Sequence, residues 1–125
     1  MHCENIIGGF MLAAGFILAS GADAGDAAAG KAIFDKTCNG CHSREAGVNK
    51  QGPSLYGVVG RKAGTAEGFA YSDAMKNSGK TWTEDELDIY LSNPRGTLHG
   101  VKMYFRGLKT ESERADVISY LEQQK

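Results

Sequence analysis

Two thiols and an imidazole stand together in Cys38-Asn39-Gly40-Cys41-His42. A C-x-x-C-H run suits one chemistry above others: each thiol can add to a vinyl group of a haem, and the adjoining imidazole then lies beneath the iron as its proximal ligand. Two rival uses fit less well. A thioredoxin-like dithiol pair sits in a βαβ setting that this sequence lacks. A structural zinc takes four donors, usually with a second pair at matching spacing, and beyond the amino-terminal segment only His99 remains as a candidate. The run therefore reads as the attachment of one covalent haem c through Cys38 and Cys41, with His42 on the iron.

The iron's other axial position decides what the group does, because methionine, histidine or an open site separate electron transfer from ligand binding and peroxidase chemistry. Met1 and Met11 belong to the amino-terminal run, which leaves Met75 and Met103. Met103 lies in Lys102-Met103-Tyr104-Phe105 just ahead of the closing helix, where a side chain can swing over a haem. Core packing is the competing role for a lone methionine, and these residues alone leave the two roles open.

The elements that must position these groups are short. Asp26 caps a helix through AAAGKAIFDKTC, with Gly30, Ile33, Phe34 and Thr37 on one face. Residues 43–68 are glycine-rich, hold Pro53 and show no sustained periodicity, so they read as loop and turns. A loop that long needs a reason, and wrapping a large cofactor supplies one. Ser72 to Asn77 forms a short helical turn. Thr83-Glu84-Asp85-Glu86 is a capping box that opens a helix burying Leu87, Tyr90 and Leu91, which Pro94 stops. Residues 95–109 read as loop again. Thr110-Glu111-Ser112-Glu113 opens a closing helix with Val117, Ile118, Tyr120 and Leu121 on its apolar side. The expected fold is all-α: three main helices, short helical turns and long loops around one covalent haem. Seventeen glycines in 125 residues leave few side chains to fill a core, a deficit that a haem makes good.

The first 24 residues differ in kind. IIGGFMLAAGFILAS, from Ile6 to Ser20, is apolar and uncharged, and Ala22 and Ala24 supply the small residues of a cleavage site. The run falls short of the roughly 20 apolar residues of a membrane span. Residues 1–24 thus read as a secretory signal peptide cleaved after Ala24, and residues 25–125 as one domain. The opening Met1-His2-Cys3-Glu4 lacks the usual positive charge, and Cys3 precedes the apolar run, where no lipid anchor would use it. The whole chain has 14 Lys and Arg against 15 Asp and Glu, and Glu4 and Asp23 lie in the leader. Near-neutral balance of this kind excludes a nucleic-acid-binding face built on net charge.

Further motifs follow in order: Gly52-Pro53-Ser54-Leu55, Gly60-Arg61-Lys62, Gly68-Phe69-Ala70-Tyr71, Thr81-Trp82, Tyr90-Leu91-Ser92-Asn93-Pro94 and Glu113 to Leu121. With CNGCH and Lys102-Met103-Tyr104-Phe105, the chain from Gly25 to Leu121 resembles class I c-type cytochromes, mitochondrial cytochrome c and its bacterial periplasmic relatives. The resemblance implies that Met103 is the distal iron ligand and His42 the proximal one, its second ring nitrogen donating to the Pro53 carbonyl. It implies that Tyr90 bonds near the Met103 sulfur, that Arg61, Tyr71 and Trp82 stabilise buried propionates, and that Phe105 covers the haem edge. Gly30 and Phe34 would pack on Tyr120 where the first and last helices cross.

This chain departs from that pattern at three places. His99-Gly100-Val101 replaces the family's Pro-Gly-Thr before Lys102-Met103, so a looser methionine loop is expected, in which Lys102 or His99 replaces Met103 at raised pH. Met75 stands where asparagine is common, altering a buried water network. Lys31, Lys50, Arg95, Lys102 and Lys109 match the family's cationic ring, but Ala32, Thr37, Gly96 and Thr110 interrupt it, which weakens electrostatic steering. The implied function is a monomeric, periplasmic carrier of single electrons in a Gram-negative bacterium, not an enzyme. Its implied partners are a quinol-cytochrome c reductase on one side and a terminal oxidase or photosynthetic reaction centre on the other, with the membrane met only through them. The alternative is a small haem peroxidase or gas-binding sensor with a labile distal ligand.

Overall fold

The computed structural model describes Gly15 and residues 25–125; the signal-peptide expectation for residues 1–24 therefore falls, but for Gly15, outside the described residues. Among the described residues five α-helices follow in order: α1 (Ala27–Ile33), α2 (Asp73–Lys76), α3 (Glu84–Ser92), α4 (Pro94–Thr97) and α5 (Glu111–Glu122). Among the described residues the only β pairing is one isolated antiparallel bridge between Lys62 and Thr81. The fold is all-α, as expected from the sequence.

Each helix begins where a short polar side chain can satisfy free amides. Asp26 accepts from the Ala28 and Ala29 amides, Ser72 from Met75, Thr83 from Glu86 and Thr110 from Glu113. The reciprocal half of both capping boxes is absent. Glu86 pairs instead with Lys80 at 3.1 Å, and the Glu113 carboxylate accepts from the Thr110 hydroxyl at 2.7 Å. Two further differences from the expected elements are physical. The first helix leaves α geometry at Ile33 and finishes as a π-helical turn, Phe34–Cys38, that delivers the first cysteine. Pro94 ends α3 and also opens α4: its missing amide costs nothing at a first helical position, and the Asn93 side chain accepts from Gly96.

The first and last helices cross at close range. A β-carbon on Gly30 would lie 1.9 Å from the Asp116 carbonyl oxygen, so only glycine lets the two backbones approach this far. Phe34, fully buried, meets Tyr120 with ring centroids 5.5 Å apart. The Asp26 amide donates to the Asp116 carboxylate across the same junction. The core continues through Val117, Ile118, Leu121, Leu87, Tyr90, Trp82, Val58, Ala63 and Leu108.

The loop after the cysteine run is not featureless. The Ser43 hydroxyl bonds to the Val48 carbonyl, Ser54 Oγ to Glu45 O at 2.6 Å, and Asn49 Oδ1 accepts from the Ser54 amide at 2.9 Å. Side-chain bonds of this kind substitute for a helix or sheet ladder. They hold residues 43–56 as a fixed wall.

Candidate functional site

The cysteine run turns back on itself directly after the π-helical turn. The amides of Cys41 and His42 both donate to the Cys38 carbonyl, at 3.1 and 2.9 Å, and the Gly52 amide donates to Cys41 O at 2.7 Å. This geometry places Cys38, Cys41 and His42 on one wall of a cavity of about 320 Å³. Small-molecule and cofactor sites commonly occupy about 300–1,000 Å³ and have apolar walls with a few placed polar groups. Here Leu55, Val58, Leu87, Leu91, Leu108, Val117 and Leu121 supply much of the apolar lining.

His42 is held in one orientation. Its Nδ1 donates to the Pro53 carbonyl at 2.7 Å, so Nε2 is the ring nitrogen left for a metal. Burial holds the imidazole below the ordinary histidine range; the Pro53 bond pulls the other way, while the charges of Arg61 and Lys50 add to the burial. A β-carbon on Gly52 would sit 2.3 Å from His42 Cε1. Cys38 and Cys41 form no disulfide, so both sulfurs are left for the cavity. Burial, with a smaller contribution from Cys41, pushes the Cys38 thiol up to about 11.

The loop between α4 and α5 supplies further lining of the same cavity. Met103 and Phe105 are half-buried and line the cavity, and Met75 of α2 lines it too. The loop is tied at both ends. Lys102 Nζ donates to Ala70 O at 3.1 Å, the Leu108 amide to Leu91 O at 2.7 Å, and Arg114 Nη1 to Leu108 O at 2.9 Å. Gly107, at φ 101°, passes so near Ser92 O that a β-carbon would lie 2.4 Å from it. His99 is exposed.

Tyr90, Trp82, Tyr71 and Arg61 all reach the same cavity. Trp82 and Tyr90 stack at 4.9 Å, and burial pushes the Tyr90 phenol up to about 12. No hydrogen bond joins Tyr90 to Met103 among the described residues; the tyrosine lines the cavity directly and stacks on Trp82. The Arg61 guanidinium donates to Ser54 O and Tyr56 O, which fixes it at the cavity wall. Tyr71 accepts from the Ala66 amide and stacks edge-on against Phe69.

The sequence reading missed Arg44. Its guanidinium meets Asp35 at 3.1 Å, donates to the Tyr120 hydroxyl at 2.6 Å and lies 5.5 Å from the centre of the Phe34 ring. It thereby clips the π-helical turn to α5. No local pattern marks it, because all three partners are brought to it by tertiary folding.

Two thiols, an oriented imidazole and a thioether lining one largely apolar cavity fit a covalently bound haem. The rival zinc site does not fit: among the described residues no group of three or more His, Cys, Asp or Glu is placed to hold a metal ion. An all-α chain folded around such a cavity defines the class I c-type cytochromes.

The cytochrome c family model matches residues 27–125. The chain belongs to the cytochrome c family. It is 48% identical to cytochrome c2 of Blastochloris viridis, over 94% of this chain and 91% of that one. It is 52% identical to the cytochrome c-type cyt cy of Rhodobacter capsulatus, over 78% of this chain and 48% of that protein. Among solved structures it is similar to cytochrome cH from Methylobacterium extorquens, with 45% identity, a TM-score of 0.74, and 79% of this chain and 99% of that one covered. The protein thus contains one covalently attached haem c, with iron, and is an electron carrier.

Proposed function

We propose that this protein is a periplasmic single-electron shuttle, attached to its haem by Cys38 and Cys41 and ligating the iron with His42 and Met103. The observation that carries this reading is the cavity itself, lined by both thiols, by an imidazole held in one orientation and by Met103 from a loop whose ends are tied down. Bound haem c supplies an iron that takes and gives one electron.

The chain's own residues do the rest. Pro53 holds the His42 tautomer, and Gly52 leaves the ring its space. Arg61, already aimed at the wall, and Tyr71 and Trp82 bind the carboxylate edge of the group. Tyr90, stacked on Trp82, and Phe105 exclude water from the iron's surroundings, which favours the reduced state along with the thioether of Met103. The bound group would supply the one-electron chemistry between a quinol-oxidising reductase and a terminal oxidase or photosynthetic reaction centre. Cleavage after Ala24 releases the carrier into the periplasm. The match to cytochrome c2 extends over 119 residues and so reaches back into the first 24, which supports a leader shared with that bacterial relative.

The test is the absorption spectrum of the holoprotein, ferric and ferrous, with carbon monoxide added to the reduced form. A weak near-infrared sulfur-to-iron band and no response to carbon monoxide are expected. A missing band with a prompt carbon monoxide shift would put the peroxidase or gas-sensor reading in its place. Intact-mass measurement of the exported protein checks the leader; the expected chain starts at Gly25.

A further inference from the structure

Tyr104 is the most exposed large hydrophobic side chain among the described residues, 90% accessible, although it lies between Met103 and Phe105 at the rim of the cavity. Nothing among the described residues covers it, yet its ring is not loose. The Arg95 guanidinium lies 4.9 Å from the ring centroid, a cation–π pair linking α4 to the methionine loop. The loop itself is tied back through Lys102 to Ala70. An aromatic ring held out in water in one orientation has already met much of the ordering cost that binding would impose.

The charge along this part of the chain is one-sided. From Ile89 to Thr110 the chain carries Arg95, Lys102, Arg106 and Lys109 and not one aspartate or glutamate. The acids stand on either side of this stretch: Glu84, Asp85, Glu86 and Asp88 lie at the start of α3 and Glu111, Glu113 and Asp116 in α5. A nearly neutral chain therefore carries one stretch with charges of a single sign, and the exposed aromatic side chain lies within it beside Arg95. Interfaces concentrate their binding energy in such residues, tyrosine and arginine foremost, at the centre of the contact.

We propose that Tyr104 is the anchor of the docking surface, inserting into an apolar depression in an acidic face of the redox partner, with Arg95 positioning the ring. The proposal rests on the carrier reading above. It assigns to one aromatic side chain the affinity that an interrupted cationic ring gives up, and it sets the partner directly over the cavity mouth.

The experiment measures oxygen consumption by a purified bacterial haem–copper cytochrome c oxidase supplied with the full holoprotein, as a function of its concentration and of salt. Tyr104→Ser is expected to raise KM about thirtyfold with kcat retained, the size of effect that defines a hot spot. Tyr104→Phe should stay within about twofold of wild type. The salt slope should survive Tyr104→Ser and become shallower in Arg95→Gln. A KM for Tyr104→Ser within twofold of wild type overturns the proposal. So does loss of the sulfur-to-iron band in that variant, which would make Tyr104 a support for Met103 instead of a contact. Tyr104-dependent binding to phosphatidylglycerol vesicles without a change in KM would assign the surface to lipid and overturn it as well. If the oxidase accepts no electrons from wild type, the carrier reading falls, and this one with it.

Discussion

Gly52 marks how little room the imidazole has. A methyl group there would sit 2.3 Å from His42 Cε1, with Nδ1 next nearest at 2.6 Å, so the ring must move. Gly52→Ala is expected to destabilise the holoprotein by about 1–3 kcal/mol, the range for overpacking, and to weaken the bond from His42 to Pro53; urea midpoints of the two proteins measure it. Tyr90 gives a prediction in pH. Burial raises its phenol from 10.0 to about 12 in the folded protein, so the folded state disfavours the phenolate. The stability associated with the neutral phenol is complete below pH 10 and is lost as pH rises towards 12. Tyr90→Phe should flatten that alkaline decline when urea midpoints are compared at pH 9 and 11. At this scale the cysteines and His42 were legible because the motif is contiguous. The choice between Met75 and Met103 was not, since both line the cavity and only long-range packing brings them there.

Helix starts were legible because a cap is a local bond between neighbours: Asp26, Thr83 and Thr110 cap as expected, and Ser72, read only as the start of a short helical turn, caps α2. Their further partners were not, since Lys80 competes for Glu86 from outside the helix. Thr83→Ala should therefore cost about 1 kcal/mol in thermal or urea unfolding, and Glu86→Gln less than that, because it removes only a partly exposed ion pair. The π-helical turn was invisible to periodicity for a related reason: the grip of Arg44 on Asp35, Phe34 and Tyr120 is tertiary. The crossing of α1 and α5 gives the largest effect at this scale. Gly30→Val would drive a branched side chain into the Asp116 carbonyl and Tyr120 Cβ, and a loss of several kcal/mol, at or above the usual overpacking range of about 1–3 kcal/mol, is expected from calorimetry of the holoprotein.

On the scale of the whole molecule, charge is sorted by position more than by amount. Composition gave only the near-neutral sum; the clearing of acids from residues 89–110 gains meaning once the fold wraps that stretch around the cavity mouth. Steering by that patch should be real but moderate. The association rate with an acidic partner is expected to fall with ionic strength less steeply than for mitochondrial cytochrome c, as stopped-flow mixing over a salt series would measure. The helix crossing has one more consequence. Because Gly30 and Asp116 touch, the fold is tied near the two ends of its sequence, and the polypeptide between them forms a ring closed by packing instead of by a bond. A protease that cuts one peptide bond at the exposed Ala46-Gly47 turn opens the thread without releasing either piece. The shorter fragment keeps α1, Cys38 and Cys41, the longer keeps α5 and Met103, and the two stay clasped. The cleaved protein should migrate as a single species on a native gel and as two bands only after denaturation, like a cut bracelet whose clasp still holds.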